Sequence, residues 1–120
     1  MPKTIGIIGS RRRDTENDYY IVESAFFKSY KLGDKICSGG CPKGGDRFAE
    51  IIAKKFDIPI LLYKADWKKF GKSAGFIRNS DIAQSSEILV ACVAPDRKGG
   101  TEDTIKKFLN IQPVTNLILV

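Results

Sequence analysis

Four segments hold the residues able to do chemistry. They are GSRRRD from Gly9 to Asp14, SGGCPKGGDR from Ser38 to Arg47, GKSAGFIRN from Gly71 to Asn79, and APDRKGGTEDT from Ala94 to Thr104. Glycine lets a backbone come close to a bound group, and successive amides at a helix start offer donors and a positive dipole end to a phosphate. An arginine fork suits the same anions. Neither the dinucleotide fingerprint G-x-G-x-x-G nor the Walker pattern G-x-x-x-x-G-K-[ST] occurs in the chain. The signal therefore lies in several loops taken together, and it points to an anion or nucleotide site.

Single residues carry plainer readings beside this one. Arg11 is best placed to face a ligand, while its neighbours Arg12 and Arg13 read as solvated charge. Asp46 reads equally as the cap of a helix and as a ligand contact. Arg78, followed by Asn79 in a small and apolar surrounding, favours a role at the ligand. Trp67 reads as a packing residue rather than a stacking one, and Lys68, Lys69 and Lys72 as solubilising charge. Three cysteines cannot all pair within one chain, and without histidine the soft ligands are too few for a four-coordinate zinc site. Cys37 and Cys41 read as small buried or turn residues in a reducing compartment, Cys92 as core, and no metal or resident cofactor is expected.

The elements that would position these loops recur along the chain as apolar runs separated by helical stretches. Strands are predicted at Thr4 to Ile8, Lys35 to Ser38, Ile58 to Tyr63, Glu87 to Ala94 and Asn116 to Val120. A helix capped by Asp18 carries Val22, Phe26 and Tyr30 and is stopped by Gly33. A second carries Phe48, Ile52 and Phe56, and a weaker one runs from Ser73 to Gln84 around Gly75. The last, with Thr101 placed to cap it, carries Ile105, Phe108 and Leu109. Residues 1–120 thus read as a single α/β domain: a three-layer Rossmann-like fold with a mostly parallel sheet of about five strands. Its ligand belongs at the carboxyl ends of the strands, where the strand order reverses.

Composition sets the outer bounds. A net charge of +6 suggests an anionic partner. The excess is even, with eleven basic and eight acidic side chains in residues 1–60 and nine and six in residues 61–120, so no basic tail marks nucleic acid out. No apolar run reaches the ~20 residues of a membrane helix, and MPKTIGIIGS lacks the long apolar core of a signal peptide. A cytoplasmic protein with no membrane partner is the expectation.

Taken in order, GSRRRD, SGGCPKGGDRFAE, KADWKKFGKSAGFIRN and GGTEDT resemble the SLOG superfamily, the Rossmann-like group of the Lonely Guy phosphoribohydrolases and the DNA-processing protein A. The pattern is most similar to the small YspA/YpsA-related branch and follows it over nearly the whole chain. The resemblance implies a nucleotide or nucleotide-derived ligand, bound at the carboxyl edge of the sheet by a sensor or by a nucleotide-processing enzyme. The residues it implies are Gly9, Ser10, Arg11, Ser38, Gly39, Gly40, Gly44, Asp46, Arg78, Asn79, Gly99, Gly100 and Thr101. The Lonely Guy motif GGxGTxxE ends in a catalytic glutamate, whose place here is taken by Thr104. Hydrolysis of an N-glycosidic bond needs a carboxylate near the sugar. Asp46, Asp66, Glu102 and Asp103 are the substitutes, and Arg78 with Glu102 form the candidate catalytic pair. The alternative function is a single-stranded nucleic-acid-binding module related to DNA-processing protein A. A second copy of the chain is the further candidate partner.

Overall fold

The computed structural model describes residues 1–120. Strand β1 (Thr4–Gly9) is buried along almost its whole length, with Ile5 and Ile7 on one face and Ile8 on the other. Such two-sided burial belongs to the middle of a parallel sheet covered on both faces. β1 indeed lies at the centre of a five-stranded sheet of order β3-β2-β1-β4-β5, in which every neighbouring pair is parallel. The other strands are β2 (Lys35–Ser38), β3 (Ile60–Leu62), β4 (Ile88–Cys92) and β5 (Leu117–Leu119).

Helices α1 (Glu16–Ser29) and α2 (Gly45–Lys55) cover one face, where Val22, Phe26, Phe48 and Ile52 pack on Ile5, Ile7, Ile36 and Val90. The opposite face is covered by α4 (Ala74–Ser85) and α5 (Gly100–Leu109), whose Ile82, Ala83, Ile105 and Phe108 meet Ile8, Cys37, Leu89 and Ala91. The result is a three-layer Rossmann-like α/β fold. Between β3 and α4 lies α3 (Trp67–Phe70), a single helical turn that periodicity did not predict. No helix is long and apolar enough to cross a membrane.

The outer strands are shorter than expected, β3 most of all, and three helix signals, two at α1 and one at α5, fall elsewhere than expected. The cap of α1 is Thr15, not Asp18: the Thr15 hydroxyl accepts the Asp18 amide, and the Asp18 carboxylate reaches back to the Thr15 amide in a capping box. Gly33 does not stop that helix, because the chain has already left it at Tyr30, which is extended with ψ 134°. Thr101 does not cap α5 either; the cap is Gly99, and Thr101 is the second helical residue.

The chain passes from β1 outward to β2 and β3, then crosses back to β4 on the other side of β1. The loops after β1 and β4 therefore diverge, and a crevice opens between them at the carboxyl edge.

Candidate functional site

The crevice is held open by a close approach of helix to strand. The start of α2 sits on the end of β1 so tightly that a Cβ on Gly45 would lie 2.1 Å from the carbonyl carbon of Ile8, and one on Gly44 2.4 Å from the oxygen of Ser10. Asp14 locks the arrangement by accepting the Gly44 amide at 2.7 Å and Arg47 Nε at 2.8 Å. These two bonds, the amide first, hold its carboxyl below the usual range. Asp14 was not singled out from the sequence, and Gly44, expected to touch the ligand, instead has its amide committed to Asp14.

Against this frame a cavity of about 440 Å³ forms between the β1 and β4 loops. Gly9, Ser10, Arg11 and Arg12 make one wall, and Lys98, Gly99, Gly100 and Thr101 the other, with Thr104 one turn further along α5. Arg78 and Asn79 of α4 close it from the side, above a floor of Ile8, Ile82 and Asp46. A second cavity of about 230 Å³ adjoins it, lined by Gly39, Gly40, Pro42, Lys64, Ala65 and Trp67, and shares Arg11, Cys41 and Arg78 with the first. The two are lobes of one cleft, and of the sequence-derived ligand residues all but Ser38 and Gly44 line it.

Ser38 is fully buried beneath the cleft, its hydroxyl within 2.5 Å of the Ile7 carbonyl and 2.9 Å of Asp46 Oδ1. It supports the floor and does not reach the ligand space. Glu102, the candidate catalytic carboxylate, does not line the cleft; Arg97 grips it in a fork with bonds of 2.8 and 2.9 Å. Asp103 is engaged by Asn79 and Lys107. Asp66 caps α3 through the Lys69 amide. That leaves Asp46 as the single carboxyl in the wall of either lobe.

Asp46 does not cap α2: its Oδ2 accepts the Cys41 amide, outside the helix. Burial pushes its carboxyl above the usual range, against the opposing pull of the Cys41 and Ser38 bonds and the charge of Arg78. The cations are arranged differently. Arg78 gives Nη1 to the Gly39 carbonyl and Nε to Asn79 Oδ1, which fixes the fork and leaves Nη2 without a protein partner. Arg11, Lys64 and Lys98 line the cleft with no carboxylate within ion-pair distance, whereas Arg12 is bound to Asp96 at 2.6 Å. No side chain caps α5, so the amides of Gly100 and Thr101, the first two of a ten-residue helix, stand unpaired in the cleft wall, while that of Glu102 is taken by the Gly99 carbonyl. Unpaired amides and cations without carboxylate partners thus converge on one cleft.

Arg13 takes no part, since its guanidinium holds the carbonyls of Val93 and Val120 and pairs with Asp18. The three cysteines are free: Cys37 and Cys92 are buried, and burial raises both their thiols, whereas half-buried Cys41 lines both lobes of the cleft. Trp67, read from sequence as packed, is 57% exposed at the smaller lobe.

No family model, no curated protein and no solved structure matches the chain. The site therefore stands on its own geometry.

Proposed function

We propose that the chain is a SLOG-type domain that binds a nucleotide or nucleotide-derived small molecule in this cleft, through the phosphate and ribose. The observation that carries the reading is the convergence, at the point where strand order reverses, of the uncapped start of α5 with four cationic side chains, Arg11, Lys64, Arg78 and Lys98, that have no carboxylate partner. Unpaired amides and unneutralised cations around one cavity favour an anion, and the cavity size suits a small organic one. The motifs that resemble the SLOG pattern lie along this same edge, which supports the family reading.

Binding is favoured over bond cleavage. Stabilising an oxocarbenium-like transition state calls for an available carboxylate. Thr104 brings a hydroxyl where Lonely Guy enzymes carry glutamate, and the one cleft carboxyl, Asp46, is committed to Ser38 and Cys41. The domain is thus read as a ligand sensor.

A thermal-shift panel of nucleotides, sugar phosphates and NAD derivatives tests this. A ligand at a hundred times its dissociation constant adds about 2.7 kcal/mol, or roughly 10 °C for a domain of this size. Arg78→Ala is expected to lose that shift while keeping a folded circular-dichroism spectrum, because the side chain bonds only to Gly39 and to its neighbour Asn79. Absence of a shift with every compound ends the reading.

A second reading is single-stranded nucleic-acid binding. It draws on Trp67, Phe70 and Phe76, exposed by 57%, 41% and 60% in a segment that also carries Lys68, Lys69 and Lys72. It predicts affinity for oligonucleotides that falls steeply with salt. Undetectable binding at low salt removes it.

A further inference from the structure

We propose that the smaller lobe seats the aromatic ring of the ligand, with Trp67 as its stacking platform, so that the molecule recognised carries a planar heterocycle joined to an anionic sugar phosphate. This rests on the nucleotide reading above and adds which end of the ligand goes where.

The larger lobe contains no aromatic side chain. Its walls are arginine, lysine, serine, threonine, asparagine and bare glycine backbone, over a floor of Ile8, Ile82 and Asp46. That surface suits phosphate and hydroxyl groups and gives a base no aromatic ring to stack on. In the smaller lobe stands Trp67, the only tryptophan of the chain. Tryptophan is on average a well-buried residue, so one left 57% exposed in a cavity wall calls for a partner.

The indole is also held. Asp66 caps α3 and fixes the turn that begins at Trp67, and the far edge of the ring lies over Gly75, where an added Cβ would stand 3.4 Å from Cη2. The same side chain lines the smaller lobe. Two other aromatic side chains of this segment are exposed, but neither lines the cleft, and each already has a cation over its ring: Lys69 Nζ lies 5.1 Å from Phe70 and Lys107 Nζ 5.4 Å from Phe76. Trp67 has no such neighbour, so its π-face is the free one. Arg11 and Arg78, common to both lobes, stand between the ring seat and the phosphate end.

Because Trp67 is the sole tryptophan, its fluorescence reports occupancy of this lobe directly. AMP and ADP-ribose should change the indole emission in a saturable manner, whereas ribose 5-phosphate should raise the melting temperature without changing it. By calorimetry, Trp67→Ala should weaken AMP or ADP-ribose roughly 10- to 100-fold, the usual range for loss of one base stack, and leave ribose 5-phosphate within about twofold. Trp67→Phe, which keeps a ring, should recover most of that loss. If AMP or ADP-ribose binds with the emission unmoved, or if Trp67→Ala weakens ribose 5-phosphate equally, the stacking seat is wrong and the nucleotide reading survives. If neither these three nor any other compound of the thermal-shift panel binds, both fall.

Discussion

Two helices meet the carboxyl edge of the sheet behind the same glycine pair, Gly44-Gly45 at α2 and Gly99-Gly100 at α5, and the fold uses the two pairs in opposite ways. In α2 the glycine pair is compressed against Ile8 and Ser10, and its amide is spoken for by Asp14. In α5 a Cβ on either glycine would meet nothing within 4 Å, and no side chain caps the helix. One pair is a joint in the scaffold; the other lines the open cleft. The third helical residues each form an ion pair, Arg47 with Asp14 of the β1 loop and Glu102 with Arg97 of its own loop. A glycine pair before a helix is therefore no ligand signal until one knows what lies opposite it.

The sharpest way to break this contrast is to add one methyl group to each helix. Gly45→Ala would place its Cβ inside the backbone of β1 at the centre of the sheet, where nothing flexible can yield. A loss of about 4 kcal/mol or more in urea unfolding, or failure to accumulate folded protein, is expected. Gly100→Ala enters open space in a helix, and there alanine should hold stability level or raise it by about 0.5–1 kcal/mol. Equal losses from the two variants would mean that the two helix starts are not differently seated.

A smaller effect separates the loops that carry these helices. Asp14→Asn removes the charge that ties Gly44 and Arg47 to the β1 loop. Because the native carboxyl is held below its usual range, its stabilisation is present above the unfolded value near pH 4 and is lost as pH falls through the folded value. The wild type should therefore melt higher than Asp14→Asn at pH 7 and converge with it under acid conditions. A constant gap across that interval would assign the effect to shape and not to charge.

Much of the scaffold could be read from residue order, and the reason is physical. Central parallel strands are apolar on both faces, so β1 and β4 announce themselves, and the bounds of β2 coincide with those expected. The single turn of α3 is too short to show a period, and its one signal was the Asp66 cap. At the site, the residues that line the cleft lie mostly in the strand-to-helix loops and at the adjoining ends of the elements, whose place follows from topology. What sequence could not show is where each side chain turns within its loop. Ser38 sinks beneath the floor because its strand register places it beside Ile7, and Glu102 leaves the cleft because Arg97, in a left-handed turn with φ 54°, comes round to grip it. Those facts depend on chain segments that meet only after folding.

The least disruptive test concerns the second residue of each helix, Asp46 in α2 against Thr101 in α5. Thr101 is half-buried in the cleft wall, while Asp46 lies on the floor with 8% of its surface exposed. The Ser38 hydroxyl has a single hydrogen, yet both the Ile7 carbonyl and Asp46 Oδ1 lie within hydrogen-bond reach of it. Both contacts are satisfied together when the Asp46 carboxyl carries a proton, donating to Ser38 while Ser38 donates to Ile7. Burial, which raises this group, works in the same direction. A group raised in the folded state adds stability that is complete below its unfolded value and disappears as pH climbs through its folded value. Asparagine reproduces the protonated form, with its amide nitrogen toward Ser38 and its oxygen toward the Cys41 amide. Asp46→Asn should thus match the wild type in melting temperature near pH 4 and equal or exceed it at pH 8. A variant that melts lower than the wild type at pH 8, with the gap closing as the pH falls, would show an ionised Asp46 accepting both bonds, and the floor of the cleft would then carry a negative charge beside the open start of α5.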